Sequence, residues 1–451
     1  MKSSSSNTVQ ALWVSIGSLV SFAFGIVSSM ILSRYFTKED YGTYKQVMYV
    51  YATLLSVFTL GLPKAYGYFI PRVSMEEGKS AVNKITNIFF ILGGFFSVSL
   101  FLFSPLIASV LNNPQLNQAI KIFSPVPFLL LPAMGLESIY ATYKKTHISS
   151  IYLVVTRVLM LFCVVCPVIL GGDYSTALWG FVVSSAFSFF IALYLKKLPY
   201  KGLAYQKCII TYRQIFKFSL PLLYASIFGT IIQSADQFFI SRYFGASTFA
   251  EFSNGFMELP FVGMIIGACS TILFPLFSKI DNERLDPKNH ILPIWINVFE
   301  KTAKLIYPML VFCWFFADYI MVVLYGSQYQ GSGIYFKIRL ISNIFTLISF
   351  APLIFALGKT TFYANVHMYV AVILIISEYI SILTFKSPHL IAIISVACNI
   401  GKILVFLIVI AKYFQTSILA LFPIKLMGKI IIPSLLILPI IRYFVRMDNP
   451  L

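Results

Sequence analysis

The chain has 451 residues, of which 59% are hydrophobic and only 11% charged, whereas soluble globular domains are roughly 25% charged. A mean hydropathy of +0.84 does not describe one giant soluble core, because single cores stop growing near roughly 250 to 300 residues, so lipid must be the main solvent. The net charge of +18 would point to nucleic acid in a soluble protein, but here Lys and Arg fall in short gaps between apolar runs, as they do in cytoplasmic loops.

The opening MKSSSSNTVQ leads into an apolar stretch longer than the core of a cleaved signal, which is about 7 to 15 residues, so it is read as a first membrane helix. A spanning helix needs about 20 mostly apolar residues. Such runs fall near 11–32, 44–70, 85–107, 119–142, 148–170 and 175–195, and define an N-terminal six-helix lobe over residues 1–195. A basic cytoplasmic connector follows over 196–217. Runs near 218–240, 250–277, 300–324, 334–357, 363–384 and 389–411 make a C-terminal six-helix lobe over 218–411. Residues 412–451 add a hydrophobic segment interrupted by Pro433 and Pro439.

The expected fold is therefore all-α: a polytopic membrane protein with 12 core transmembrane helices in two parallel six-helix lobes and an extra C-terminal segment. With a cytoplasmic N-terminus, most basic residues, including Arg72, Lys84, Lys144, Lys196 and Lys197, fall in cytoplasmic connections, and Arg34, Lys38, Arg242 and Lys386 fall opposite. Ser33-Arg34-Tyr35-Phe36 closes the first run and Ser241-Arg242-Tyr243-Phe244 the seventh, which marks the halves as repeats. Six is even, so the halves enter the membrane in the same direction, with an expected cleft between them.

Several chemistries find no support. Cys163 and Cys166 form a C-x-x-C spacing, but inside an apolar run, where packing is the expected role. His147, His290, His367 and His389 are scattered without paired spacing, so neither a metal nor another cofactor is expected. No G-x-S-x-G elbow is present, and no loop outside the membrane is long enough for a catalytic pocket. The expectation is a non-enzyme with no catalytic residues and no nucleic-acid partner.

Ionisable residues within apolar runs carry the functional signal, because they are costly in hydrocarbon and face a bundle interior or a wet cavity. Arg157 and Lys402 lie near the middle of the fifth and twelfth runs. Candidates for binding substrate are Arg157, Lys402, Lys64, Arg339, Arg34 and Arg242, whose charge suits a diphosphate or an acidic sugar. Asp236, Glu137, Glu378 and Glu258 are candidates for ion coupling or for pairing helices, and both readings stand at this point. Most of the 27 Tyr and 44 Phe fit an interfacial belt. Tyr35, Tyr66, Tyr224 and Tyr243 are candidate stacking faces for a sugar. Pro63, Pro71, Pro221, Pro260, Pro275, Pro308 and Pro352 are candidate bending points.

The stretches SRYFTKEDYGTYKQV and LGLPKAYGYFIPR resemble the polysaccharide-transport branch of the multidrug/oligosaccharidyl-lipid/polysaccharide exporter superfamily, which includes Wzx-type O-antigen flippases. QSADQFFISRYFGASTFAEFS is similar to that family's second-half signature, with Asp236 at its Asp. The resemblance covers roughly residues 8–412. It implies two lobes that alternately open a cationic cavity. The head group of an undecaprenyl-diphosphate-linked oligosaccharide would move from the cytoplasmic to the periplasmic or outer leaflet of the inner membrane, for O-antigen, lipopolysaccharide, capsule or exopolysaccharide synthesis. The implied partners are that lipid-linked oligosaccharide, membrane lipids, and polysaccharide polymerase and ligase machinery. The rival readings are a multidrug-type cation-coupled exporter of the same superfamily and a membrane polysaccharide polymerase. The deep basic residues disfavour the first, and the short periplasmic connections disfavour the second.

Overall fold

A computed structural model describes residues 7–203, 206–259, 261–267, 269, 273, 277, 286–347, 350–356, 359–421 and 424–445. Among these residues the regular elements are all helical. The first part of the chain gives α1 (Asn7–Tyr35), α2 (Lys38–Phe58), α3 (Pro63–Phe69), α4 (Met75–Val110), α5 (Gln115–Phe123), α6 (Val126–Leu130), α7 (Leu136–Thr142), α8 (Thr146–Ile169), α9 (Tyr174–Lys197) and α10 (Tyr212–Gly255). The second part gives α11 (Leu292–Phe315), α12 (Ala317–Tyr325), α13 (Ser332–Phe345), α14 (Ala351–Ala356), α15 (Thr360–Thr384), α16 (Pro388–Tyr413) and α17 (Ile424–Val445).

Several helix starts are specified by capping residues that satisfy orphan backbone donors. Thr37 caps α2, its hydroxyl oxygen accepting from the Asp40 N–H at 3.1 Å. Ser74 opens α4 with a capping box: its hydroxyl accepts from the Glu77 N–H at 3.2 Å, and its own N–H donates to the Glu77 carboxylate at 3.3 Å. Asp173 caps α9.

Seven described helices are long and apolar enough to cross a membrane, or up to eight if one bent pair is a single span. The architecture is thus all-α and polytopic. The number falls short of twelve partly because some apolar runs fold as broken helices. The run near 44–70 still counts as one span, Lys38–Arg72, although it breaks at Thr59–Leu62, where Leu60 (φ 49°) and Gly61 (φ 70°) are left-handed, and Pro63 starts α3 beyond the break. The run near 119–142 is split among α5, α6 and α7, and Pro125 and Pro132 stand in the gaps. Pro308 lies inside α11, yet the 77° bend falls after Phe315. The run near 250–277 lies partly outside the described residues, as do Pro260 and Pro275.

Contacts divide the chain into two compact units: Met1–Thr230 with Ser241–Ala250, and Ile231–Ile240 with Glu251–Leu451. In the N-terminal unit α8 packs between α1 and α9, and α4, α5 and α6 pack together with α9. Helices α8 and α9 approach so closely that a Cβ on Gly180 would stand 2.0 Å from the Cys163 carbonyl oxygen, which is the use small residues have between membrane helices. Both cysteines of the C-x-x-C spacing are free. Ser33 and Ser241 of the shared tetrapeptide are both fully buried, and Gln46 donates to the Ser241 hydroxyl at 2.7 Å. Within the connector, the Cys208 and Ile210 carbonyls each accept from Lys84 Nζ, at 2.8 and 2.7 Å. In the C-terminal unit α15 packs on α16, α13 on α16, and α17 on α11. Leu438 of α17 is buried with Val311 and Phe316.

Candidate functional site

Each unit holds a cavity with one of the deep basic residues. In the N-terminal unit a cavity of about 380 Å³ is walled by α1, α2, α8, α9 and the segment Leu130–Glu137. Arg157 reaches it from halfway along α8 and is exposed there. Its Nε donates to the Ser21 hydroxyl at 2.9 Å, and one guanidinium nitrogen stands 3.5 Å from Met160 Sδ. Arg157 makes no ion pair among the described residues, although Glu137 lines the same cavity. Tyr51, Tyr152 and Phe181 supply ring surface. The result is a cationic, partly aromatic pocket with guanidinium donors left for a ligand.

In the C-terminal unit a cavity of about 300 Å³ is lined by Asp236, Glu258, Arg339, Lys402 and neighbouring amide side chains. Arg339 bonds to the Glu258 carboxylate, and its guanidinium lies 5.0 Å from the centre of the Phe256 ring. Asp236 is 3% exposed and accepts from its neighbour's Gln237 N–H at 2.8 Å and from the Ser395 hydroxyl at 3.1 Å. Lys402 lines this cavity with no hydrogen bond or ion pair among the described residues. The pocket therefore holds two basic and two acidic groups, with one acid already tied to Arg339.

Glu378 on α15 is fully buried. Neither of its carboxyl oxygens has a hydrogen-bond partner among the described residues. Lys64 is exposed on α3, Arg34 is exposed at the end of α1, and Arg242 donates to the Ser109 carbonyl. These three line neither cavity.

Tyr66, a candidate stacking face by sequence, is buried and presents no face to a sugar. Its hydroxyl lies 2.8 Å from Thr86 Oγ1, and its ring covers Gly135 so closely that a Cβ there would meet ring carbons at 2.2 Å. Tyr35 and Tyr243 are exposed. The side chain of Tyr224 lies outside the described residues.

Sequence reasoning placed Lys196 in the cytoplasmic connector, but it is only 3% exposed. Its ammonium donates to the Pro132 carbonyl at 2.7 Å, the Tyr66 hydroxyl at 2.8 Å and Thr86 Oγ1 at 3.3 Å. A basic residue at the end of an apolar run is expected to snorkel. The overlooked signal is the pair Lys196-Lys197. Adjacent helical residues point about 100° apart, so two in sequence cannot both take the same outward face.

Residues 31–333 match the family described as "Polysaccharide biosynthesis protein". The chain is 23% identical over 322 residues to the succinoglycan biosynthesis transport protein ExoT of Rhizobium meliloti (strain 1021), covering 70% of this chain and 62% of that one. It is 24% identical over 352 residues to the capsular polysaccharide biosynthesis protein CapF of Staphylococcus aureus, covering 73% and 81%. Among solved structures it is similar in fold to the lipid II flippase MurJ in an inward closed conformation. The TM-score there is 0.69 and the identity 18%, over 96% of this chain and 93% of that one.

Proposed function

The chain belongs to the polysaccharide biosynthesis protein family, and on that footing we propose that it is a flippase for a lipid-linked, undecaprenyl-diphosphate-type oligosaccharide. It would act in the inner membrane by alternating access of an N-terminal and a C-terminal lobe. The observation that carries this reading is Arg157, exposed in the N-terminal cavity without an ion pair among the described residues. A guanidinium in that state suits bidentate recognition of phosphate or carboxylate, and it repels the organic cations that a multidrug-type exporter must accept. Lys402 plays the corresponding part in the C-terminal cavity. Lys64, Arg34 and Arg242 line neither of these two pockets. Glu137 faces the N-terminal cavity, and Asp236 and Glu378 are the groups through which an ion would couple to transport. Glu258 holds Arg339 in place.

The family setting also supports the narrower statements. The product of transport would feed O-antigen, capsule or exopolysaccharide assembly, with polymerase and ligase machinery downstream and no chemistry performed by this chain. The test is export from cells that carry Arg157→Ala as their sole copy. Surface polysaccharide is expected to fall at least about tenfold, the loss of about 1.4 kcal/mol of binding, while the protein remains in the membrane at its normal amount. Normal export from a normally abundant variant would overturn the reading.

A further inference from the structure

The break between α6 and α7 forms one wall of the Arg157 cavity: Leu130, Ala133, Met134, Gly135, Leu136 and Glu137 all line it. Broken helices free backbone carbonyls, and within a membrane these must be satisfied by protein or by a wet cavity. Beside this wall, the Pro132 carbonyl accepts from Lys196 Nζ at 2.7 Å.

The same ammonium reaches three elements at once. Besides Pro132 in the break, it bonds Tyr66 on α3 and Thr86 on α4, while belonging itself to α9. Tyr66 closes the arrangement from the other side. Its ring lies against Gly135, whose φ of 91° and lack of a Cβ let the chain turn under it. A buried ammonium is tolerated only where its donors are used, and here three neutral oxygens use them. None of these oxygens faces the cavity's ligand space, and Lys196 is not among its lining residues. The lysine is thus not placed to touch substrate.

We propose that Lys196 is a positioning residue. Its buried ammonium clamps the Leu131–Gly135 break against α3, α4 and α9, and so sets the wall that Glu137 and Arg157 share around the substrate. This rests on the flippase reading for its consequence, but not for its geometry. Without the clamp, the break would be held by fewer bonds and would open locally more often.

The experiment uses the full chain in native membranes with the six natural cysteines replaced, and N-ethylmaleimide as the probe. Met134→Cys reports on the clamped wall. Ser18→Cys reports on the wall from α1, which Lys196 does not touch. Adding Lys196→Met is expected to raise the labelling rate at Met134→Cys about tenfold, because all three bonds are lost and the freed oxygens recover part of that cost, and to leave Ser18→Cys within about twofold. Surface polysaccharide is expected to fall at unchanged protein amount. Unchanged labelling at Met134→Cys, or an equal rise at both positions, would overturn the proposal. A selective rise with undiminished export would overturn the role in transport. If Lys196→Met does not accumulate, Tyr66→Phe decides by the same criteria. It removes one of the three oxygens and keeps the ring on Gly135, and it should give a smaller rise of about threefold, again confined to Met134→Cys. A cell in which even the unaltered chain exports no polysaccharide would refute the flippase reading and leave the labelling result standing.

Discussion

The N-terminal unit buries a lysine and the C-terminal unit buries two carboxylic acids, and the two units treat the cost of burial differently. Lys196 spends its ammonium donors on three oxygens within 3.3 Å. Asp236 is likewise served, by Ser395 and Gln237. Glu378 is not: both oxygens lack a partner among the described residues. Desolvating a polar group without replacing its hydrogen bonds is among the most costly arrangements in a fold. A group kept in that state contributes little to stability, so the difference teaches where each role lies. On the reading proposed above, the lysine belongs to a static clamp, and the glutamate to a place where stability is given up for ion coupling.

The largest expected effect comes from breaking the clamp. Lys196→Met leaves the Pro132 carbonyl and the Tyr66 and Thr86 hydroxyls without the ammonium. At about 1 to 3 kcal/mol for each unsatisfied buried group, partly recovered by the Tyr66–Thr86 bond, a loss of about 3 kcal/mol follows. Denaturant unfolding of the detergent-solubilised protein measures it. A loss below about 0.5 kcal/mol, the scale of an ordinary surface substitution, would mean that the ammonium holds nothing. Gly135→Ala attacks the same clamp from the Tyr66 side. The left-handed backbone and a Cβ 2.2 Å from ring carbons together should cost about 2 kcal/mol, and the same unfolding curve reads it.

The C-terminal unit should respond with the opposite sign. Glu378→Met replaces an unpartnered buried carboxyl by an apolar side chain of similar length, and such replacements are often neutral or stabilising. A gain of about 1 kcal/mol in unfolding free energy is expected, together with lost polysaccharide export. If Glu378→Met instead destabilised the protein as strongly as Lys196→Met, the carboxyl would be as structural as the lysine and the contrast between the units would fall.

Much of the fold could be read from the pattern of residues, and the reason is physical. Hydrocarbon admits few charges, so the apolar runs declare the helices and the gaps declare the loops. Arg157 and Lys402 stand out because no snorkelling path is short from the middle of a run. The charge of a residue at the end of a run carries no such information, so by sequence Lys196 reads as part of the connector. Tyr66 suffered the same ambiguity: an aromatic ring reads alike whether it faces a sugar or covers a glycine. The break at Leu131–Gly135 depends on which carbonyls find donors from distant helices, and Pro132 finds its donor 64 positions along the chain. The sharing of one cavity by Glu137 and Arg157, or by Asp236 and Lys402, is likewise decided by packing and not by spacing.

The smallest effect calibrates the comparison with a charge that water still reaches. Asp173 is exposed at the start of α9, and its carboxylate accepts from the Thr176 N–H at 2.9 Å and the Thr176 hydroxyl at 2.8 Å. Partial burial works to raise its pKa, but the bonds from Thr176 outweigh it and hold the carboxyl below its ordinary range. A depressed carboxylate stabilises the folded state above its unfolded pKa, about 3.9, and loses that contribution as pH falls through the folded value. Asn caps a helix about as well as Asp, so Asp173→Asn should cost only a few tenths of a kcal/mol at neutral pH. The gap between the two proteins should shrink as the pH drops below about 4, which melting curves across that range would follow. A pH-independent loss as large as that of Lys196→Met would show that exposure does not soften the cost of a missing bond, and would remove the basis for separating a buried clamp from a surface cap.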